Sequence, residues 1–216
     1  METYVDIEQS KARVPVQSRG IQTKSSIINA AKELFEEKGY HGTNSKEIAA
    51  RAGLATGTFY SYFNDKKPVF LEVIRNYYRE ITETVLSDAA VDILNMEIRK
   101  KEDLKKMIHE LVRALYNAHS ISPKLHREIT AMIYSDPEVE TLIKGEEKNS
   151  MNAVRALLSK ISGRLAVKDI DAAAEIILRS SEEVIHRLRM FENTIPDERI
   201  LNELEDMLYR YLFVKV

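Results

Sequence analysis

Residues 30–70 read AAKELFEEKGYHGTNSKEIAARAGLATGTFYSYFNDKKPVF, and their periodicity decides the fold of this 216-residue chain. Ile27, Ile28, Ala31, Leu34 and Phe35 recur at i, i+1, i+4, i+7 and i+8, which is one face of a helix. Thr23 is placed to cap that helix and Gly39 to stop it. Asn44 caps a second, short helix, with Glu47 three residues on in a capping-box-like pair. Ile48, Ala49 and Ala52 are its apolar face, and Gly53-Leu54-Ala55 is the turn that ends it. Thr56–Phe63 reads as a third helix, with Phe59, Tyr60 and Phe63 at i, i+1 and i+4. Asn64-Asp65 then caps a longer helix over about residues 66–87, and Pro68 falls in its first turn, where a missing N–H costs little.

Two short helices joined by a tight glycine turn, after a longer helix, form a helix-turn-helix arrangement. Such a unit lays its second helix in the DNA major groove while its first helix crosses the backbone. Thr56, Thr58 and Ser61 carry short hydroxyls, Gly57 permits close backbone approach, and Tyr60 and Tyr62 can reach phosphate oxygens. Lys66 adds a cation at a helix start that already favours anions. Spacing alone does not separate this unit from a surface turn in an unrelated helical bundle.

Composition agrees with a helical chain. Seven glycines and five prolines are about half the usual share, which argues against turn-dense β folds and against disorder. No cysteine is present, which removes disulfides, thiol nucleophiles and thiolate metal ligands. No apolar run approaches the ~18 residues of a membrane helix, and residues 1–16 lack the apolar segment of a signal peptide, so a cytoplasmic protein without membrane contact is expected. The net charge of −2 conceals an asymmetry: residues 11–67 carry ten Lys/Arg against five Asp/Glu, whereas residues 68–216 carry 22 against 26.

The rest of the chain remains helical in pattern. Leu104 to Leu115 marks one helix, Pro123 and Pro137 each open another, Ile170 to Leu188 has a broad apolar face, and Pro196 precedes the last. The expectation is an all-α fold of about nine helices without a convincing strand. It comprises an arm over residues 1–20 without regular structure, a three-helix unit over 21–67, and a larger helical unit over 68–216. Asp88–Lys101 is the least patterned stretch.

The blocks Ala31 to Thr43, Ile48 to Gly53 and Gly57 to Lys66 resemble the DNA-binding domain of TetR/AcrR-type bacterial transcriptional regulators. They match A-x-x-L-F-x-x-x-G-Y-x-x-T, I-A-x-x-A-G and G-T-x-Y-x-x-F-x-x-K at family spacing, over about a quarter of the chain. The resemblance implies that Thr58, Tyr60 and Tyr62 face DNA, with Thr56 and Gly57 at the start of the reading helix. It also implies that Lys66 meets a phosphate and that Ser45 and Lys46 touch backbone or base edges. Phe59, Phe63, Leu34 and Ile48 would be core. The chain departs from the family where Ser then Lys is usual: it has Ala55 and Thr56, which would move the cap to Thr56. Lys67 stands where Glu is common. Lys11, Arg13, Arg19 and Lys24 precede or open the first helix, and read equally as a DNA-following arm or as a solvated tail.

The resemblance further implies a ligand-binding region and a homodimer through the last two helices. A two-fold dimer would match palindromic double-stranded operator DNA. The function expected is a sequence-specific regulator, a repressor released from its operator by a small molecule of unknown identity. The alternatives are an activator or a helical protein–protein adaptor without DNA binding. Met107, Tyr116, His119, Met132, Tyr134 and Met151 are soft or polar residues on apolar faces, and are the pocket candidates beside the blander reading that each is core. His126 and His186 read as isolated. His109-Glu110 is half of a zinc-binding HExxH, but Arg113 occupies the second histidine position, so no metal and no cofactor is expected. No phosphate-binding glycine loop, nucleophile elbow or carboxylate pair suggests an enzyme.

Overall fold

The computed structural model describes residues 16–85 and 100–214. The expectations for residues 1–15, including Lys11 and Arg13, and for residues 88–99 lie outside them. Among the described residues are nine α-helices, one 3-10 turn and no strand.

Helix α1 (Val16–Lys38) begins before the predicted start at Ile21. Thr23 is therefore not its cap; the hydroxyl donates to the Arg19 carbonyl at 2.9 Å inside the helix. One glycine at position 20 costs about 1 kcal/mol, too little to stop a helix already anchored by packing. Gly39 ends it in the left-handed region at φ 73°, donating to the Phe35 carbonyl at 3.0 Å. Asn44 caps α2 (Ser45–Arg51), accepting from the Lys46 and Glu47 N–H groups. The Glu47 carboxylate takes the Lys38 ammonium at 3.0 Å. Gly53, at φ 70°, makes the turn into α3 (Thr56–Tyr62). Ala55 is the N-cap of α3 and offers no side-chain bond; the cap does not move to Thr56. Asp65 receives the Lys66 N–H at 2.7 Å, where α4 (Lys66–Val85) begins.

The remaining helices are α5 (Lys101–Ala118), α6 (Pro123–Ile133), α7 (Pro137–Lys160), α8 (Ile170–Met190) and α9 (Asp197–Phe213). Pro123 and Pro137 stand in first turns, and Asp136 and Asp169 cap α7 and α8 with their carboxylates. The main core joins Ile27, Ala31, Leu34 and Phe35 of α1 to Ile48, Phe59, Phe70, Ile74 and Tyr77. Its far wall is Leu125, Ile129 and Met132 of α6 with Val139 and Ile143 of α7. The compositional division at residue 67 is thus not a division of the core. A second core holds α5, α8 and α9 together through Ile108, Val112, Ile185, Leu188, Leu201 and Leu208.

Candidate functional site

The apolar positions of the short helices are fully inside: Ile48 and Phe59 have no exposed surface, and Phe63 is buried. What remains outside on α3 is the predicted set. Gly57, Tyr60 and Tyr62 are exposed and Thr56 and Thr58 half-buried, with Tyr60 at 49% and Tyr62 at 38% exposure. Tyr60 packs edge-on against Phe59 with ring centres 5.4 Å apart, and both phenols remain open to solvent. Lys46 is exposed at the start of α2. These exposed residues stand on the two short helices that the Gly53 turn joins.

Two predicted contacts sit differently. Ser45 is buried, and its hydroxyl donates to Asp65 Oδ1 at 3.4 Å, tying α2 to the α3–α4 turn. The Lys66 ammonium points inward, donating to the carbonyls of Tyr40 at 2.7 Å and Thr43 at 2.8 Å, and lies 4.3 Å from the Tyr40 ring centre. It braces the α1–α2 turn. Lys67 is occupied by Asp136 at 3.0 Å and Glu138 at 2.8 Å at the start of α7, and those two hydrogen bonds hold its ammonium up at about 12. Lys24 pairs with Glu72 at 3.0 Å; Arg19 is exposed. Arg51 forks onto Glu37 and Glu33 of α1.

The N-terminal helices are fastened to the larger half at three places. Glu128 of α6 accepts the Tyr40 N–H at 2.6 Å, Ser122 donates to Glu36 at 2.5 Å, and Lys67 reaches α7 as above. Gly39 permits the first of these, because a Cβ there would lie 3.1 Å from the Glu128 carboxylate. Glu128 thus ties α6 directly to the backbone of the α1–α2 turn.

The six pocket candidates are not brought together. Met107 lies in a small core with Leu104 and Ile161, Met132 in the main core, and Met151 beside Ala173 and Leu178. The Tyr116 hydroxyl donates to Asp197 at 2.6 Å, and Arg189 stacks 3.4 Å over its ring. Tyr134 is 90% exposed, on the surface after α6, because it falls at the helix C-cap and not on an inward turn. His119 is buried, and burial pushes its imidazole down.

Polar groups that sequence reading missed line the interior. His126 and His186 are not isolated: His126 Nε2 is 2.8 Å from His186 Nδ1, and Tyr77 Oη is 3.0 Å from His126 Nδ1. Burial, with His186 and His119 nearby, pushes His126 down to about 4. Burial pushes the Glu182 carboxyl up to about 7 against the pull of Arg179, with Glu147 and Glu175 adding to the rise. A cleft of about 440 Å³ opens between α4 and α7, lined by Arg75, Arg79, Thr82, Glu83, Glu146 and Asn149. Only the inward phase of His126 beside Leu125 and Ile129, and of His186 beside Ile185, hinted at this in the sequence. Among the described residues no cluster of three or more His, Asp or Glu could hold a metal, and no helix is long and apolar enough to cross a membrane.

Comparison with known proteins bears on both halves. Residues 27–73 match the model of bacterial regulatory proteins of the tetR family, and residues 103–212 match the tetracyclin repressor-like C-terminal domain. A Bacillus subtilis fatty acid metabolism regulator protein is 25% identical over 162 residues, covering 74% of this chain and 79% of that protein. The transcriptional activator FasR of Mycolicibacterium smegmatis is 25% identical over 143 residues, covering 66% of this chain. This chain spans 61% of FasR, and 38% of a Bacillus subtilis regulator to which it is 31% identical over 74 residues. A tetR-family regulator from Mesorhizobium loti superposes with a TM-score of 0.70 at 21% identity, over 89% of this chain and 96% of its own. The fatty acid degradation regulator FadR of Bacillus halodurans does so at 0.65 and 21% identity, over 87% and 94%. At these identities the superpositions show a shared fold.

Proposed function

The chain belongs to the tetR family of bacterial regulatory proteins, and from that premise we propose that it is a sequence-specific DNA-binding regulator, a repressor released by a small molecule. The family is one of transcriptional regulators and not of enzymes. The observation that carries the reading is the surface of α2 and α3: exposed Lys46, Gly57, Tyr60 and Tyr62 with half-buried Thr56 and Thr58, over a fully buried Phe59. The hydroxyls give positioning contacts to phosphates and base edges, the kind that set register on a duplex. Ser45 and Lys66 hold that surface in shape from behind.

A homodimer follows from the same premise. Ile176 on α8, and Met207, Tyr211 and Val214 at the end of the chain, leave apolar side chains 51%, 46%, 36% and 47% exposed. A two-fold partner packed on them would bring two α3 helices to one face and suit a palindromic duplex. FasR is named an activator, so activation is the second reading, decided by the effect on transcription and not by the binding surface. The relatives named for fatty acid metabolism and degradation favour an effector from that chemistry. Fatty acids and acyl thioesters are the compounds to screen by thermal shift.

The deciding experiment is selection of duplexes from random sequence by the full chain, followed by a salt titration. An enriched palindrome, bound with an affinity that falls steeply with salt, supports the proposal. Equal affinity for all duplexes at low salt would end it.

A further inference from the structure

We propose that the His126–His186 pair is a proton-binding site that loosens the contact of α6 with α8 as the pH falls, and through α6 releases the reading surface. The DNA half of this statement rests on the function proposed above; the proton half does not.

The geometry is a chain of three groups on three helices: Tyr77 of α4, His126 of α6 and His186 of α8, joined at 3.0 and 2.8 Å. Tyr77 is 1% exposed, and burial holds its phenol protonated well beyond neutral pH. With that proton aimed at His126 Nδ1, His126 carries its own on Nε2 and donates to His186 Nδ1. Both rings are then neutral and every facing nitrogen is matched. A proton taken from solvent onto His186 Nδ1 puts two N–H groups face to face at 2.8 Å. The chain can absorb it only by reversing: His186 donates to His126 Nε2, His126 Nδ1–H turns to Tyr77 Oη, and the buried phenol proton loses its acceptor. A second proton leaves no arrangement, and the rings must part.

Among the described residues, no carboxylate is hydrogen-bonded to either ring of the pair. From the end of α5, His119 lies with its ring 5.9 Å from that of His126, and its Nδ1 is engaged with the Leu115 carbonyl at 2.9 Å. From α8, Arg189 adds a cation that acts on His119, and Phe191 lies 6.4 Å from the His186 ring. From α4, Tyr78 packs edge-on against Tyr77, and Glu80 acts on Tyr77. Glu182, one turn before His186, acts on Tyr78. The groups acting on His126 itself are the two other histidines, and no carboxylate is among them. A buried histidine without a counter-charge stays neutral until the pH falls well below the ordinary imidazole range, and once charged it is relieved by moving toward water. The helix that links the pair to the α1–α2 turn is α6, which carries His126 two residues before the Glu128 clamp on Tyr40.

The test uses the full chain. Amide hydrogen exchange of residues 123–133 and the ring resonances of the histidines are followed from pH 7.5 to 4. Binding to a duplex selected by this protein is measured alongside. The expected result, after correction for intrinsic exchange, is at least tenfold faster exchange in α6 at pH 4, with binding weakened about tenfold per pH unit for each proton taken up once the pair begins to charge. His186→Asn keeps an acceptor near Nδ1 but cannot titrate, and should flatten both responses. An unaltered response in that variant would overturn the proposal and move the effect to His41 or His109. Should the variant not fold, the wild-type ring titrations decide: His126 and His186 shifting together supports the pair, and independent titration refutes it. Failure to select any duplex would count against the DNA-binding reading alone, since exchange and ring titration need no DNA.

Discussion

Lys66→Met separates two roles for one cation. The wild-type ammonium makes two charged hydrogen bonds, to Tyr40 O at 2.7 Å and Thr43 O at 2.8 Å, and a cation–π contact at 4.3 Å. Hydrogen bonds to charged groups contribute about 1.5–3 kcal/mol each when well shielded, and the ring contact about 0.5–1 kcal/mol. The side chain is half-buried, so water can replace part of what is lost, and a net cost of about 2–3 kcal/mol is expected. Methionine preserves the stem and isolates the head group. Urea unfolding of the DNA-free protein, at fixed concentration because the protein is expected to be dimeric, reads the loss as a lower midpoint at unchanged m-value. The opposing view makes Lys66 chiefly a phosphate contact. It predicts stability within about 0.5 kcal/mol of wild type and a salt dependence of binding shallower by about 0.9 in log–log slope. That pair of results would refute the brace.

Three further outcomes follow from the geometry. Gly39→Ala should cost more than Gly53→Ala in thermal unfolding: both impose about 1 kcal/mol or more of left-handed strain, but only at Gly39 does the new Cβ meet Glu128, whereas nothing lies near Gly53. Glu182 ionises near 7 when folded and near 4.3 when unfolded, so between those values the native state holds the extra proton and stability falls as pH rises. Glu182→Gln should remove that slope and be more stable at pH 8 by up to about 3 kcal/mol; parallel stability curves for the two proteins would contradict the burial argument. Lys46→Ala should lower affinity for the selected duplex and flatten its salt slope by about 0.9, while Tyr60→Phe lowers affinity by about 1 kcal/mol without touching the slope. Identical slopes in wild type and Lys46→Ala would remove Lys46 from the contact surface.

The nine helices among the described residues were legible because their signals are local. Apolar period, Asn44, Asp65, Pro123 and Pro137 each act within a turn of where they stand, and the structure begins or caps helices at those points. The start of α1 was not, since Thr23 has the chemistry of a cap while nothing nearby stops the helix from continuing to Val16. On α3, the burial of Phe59 and Phe63 followed from their phase, whereas Tyr60, which that phase groups with them, was set outside only by the family resemblance. The inward turn of Lys66 was not legible, because its partners are carbonyls 23 and 26 residues earlier, and a carbonyl leaves no mark in a sequence. The same limit hid the His126–His186 contact across 60 residues. Tyr134 misled through context: its neighbours are apolar, but the helix ends under it.

The shared core has an engineering consequence. Leu125, Ile129, Met132, Val139 and Ile143 close the hydrophobic cavity into which α1, α2 and α3 pack, and Glu128 supplies a partner for a backbone amide of the α1–α2 turn. A cut after Lys67 would leave residues 16–67 with an open apolar flank, and would strand the Tyr40 amide without its acceptor. The unit that would keep its core on transplantation thus includes α4, α6 and the first turns of α7, two pieces far apart in the chain. Chimeras built on the helix-turn-helix alone should be unstable, and specificity is better exchanged by replacing only the outward residues of α2 and α3 on this scaffold.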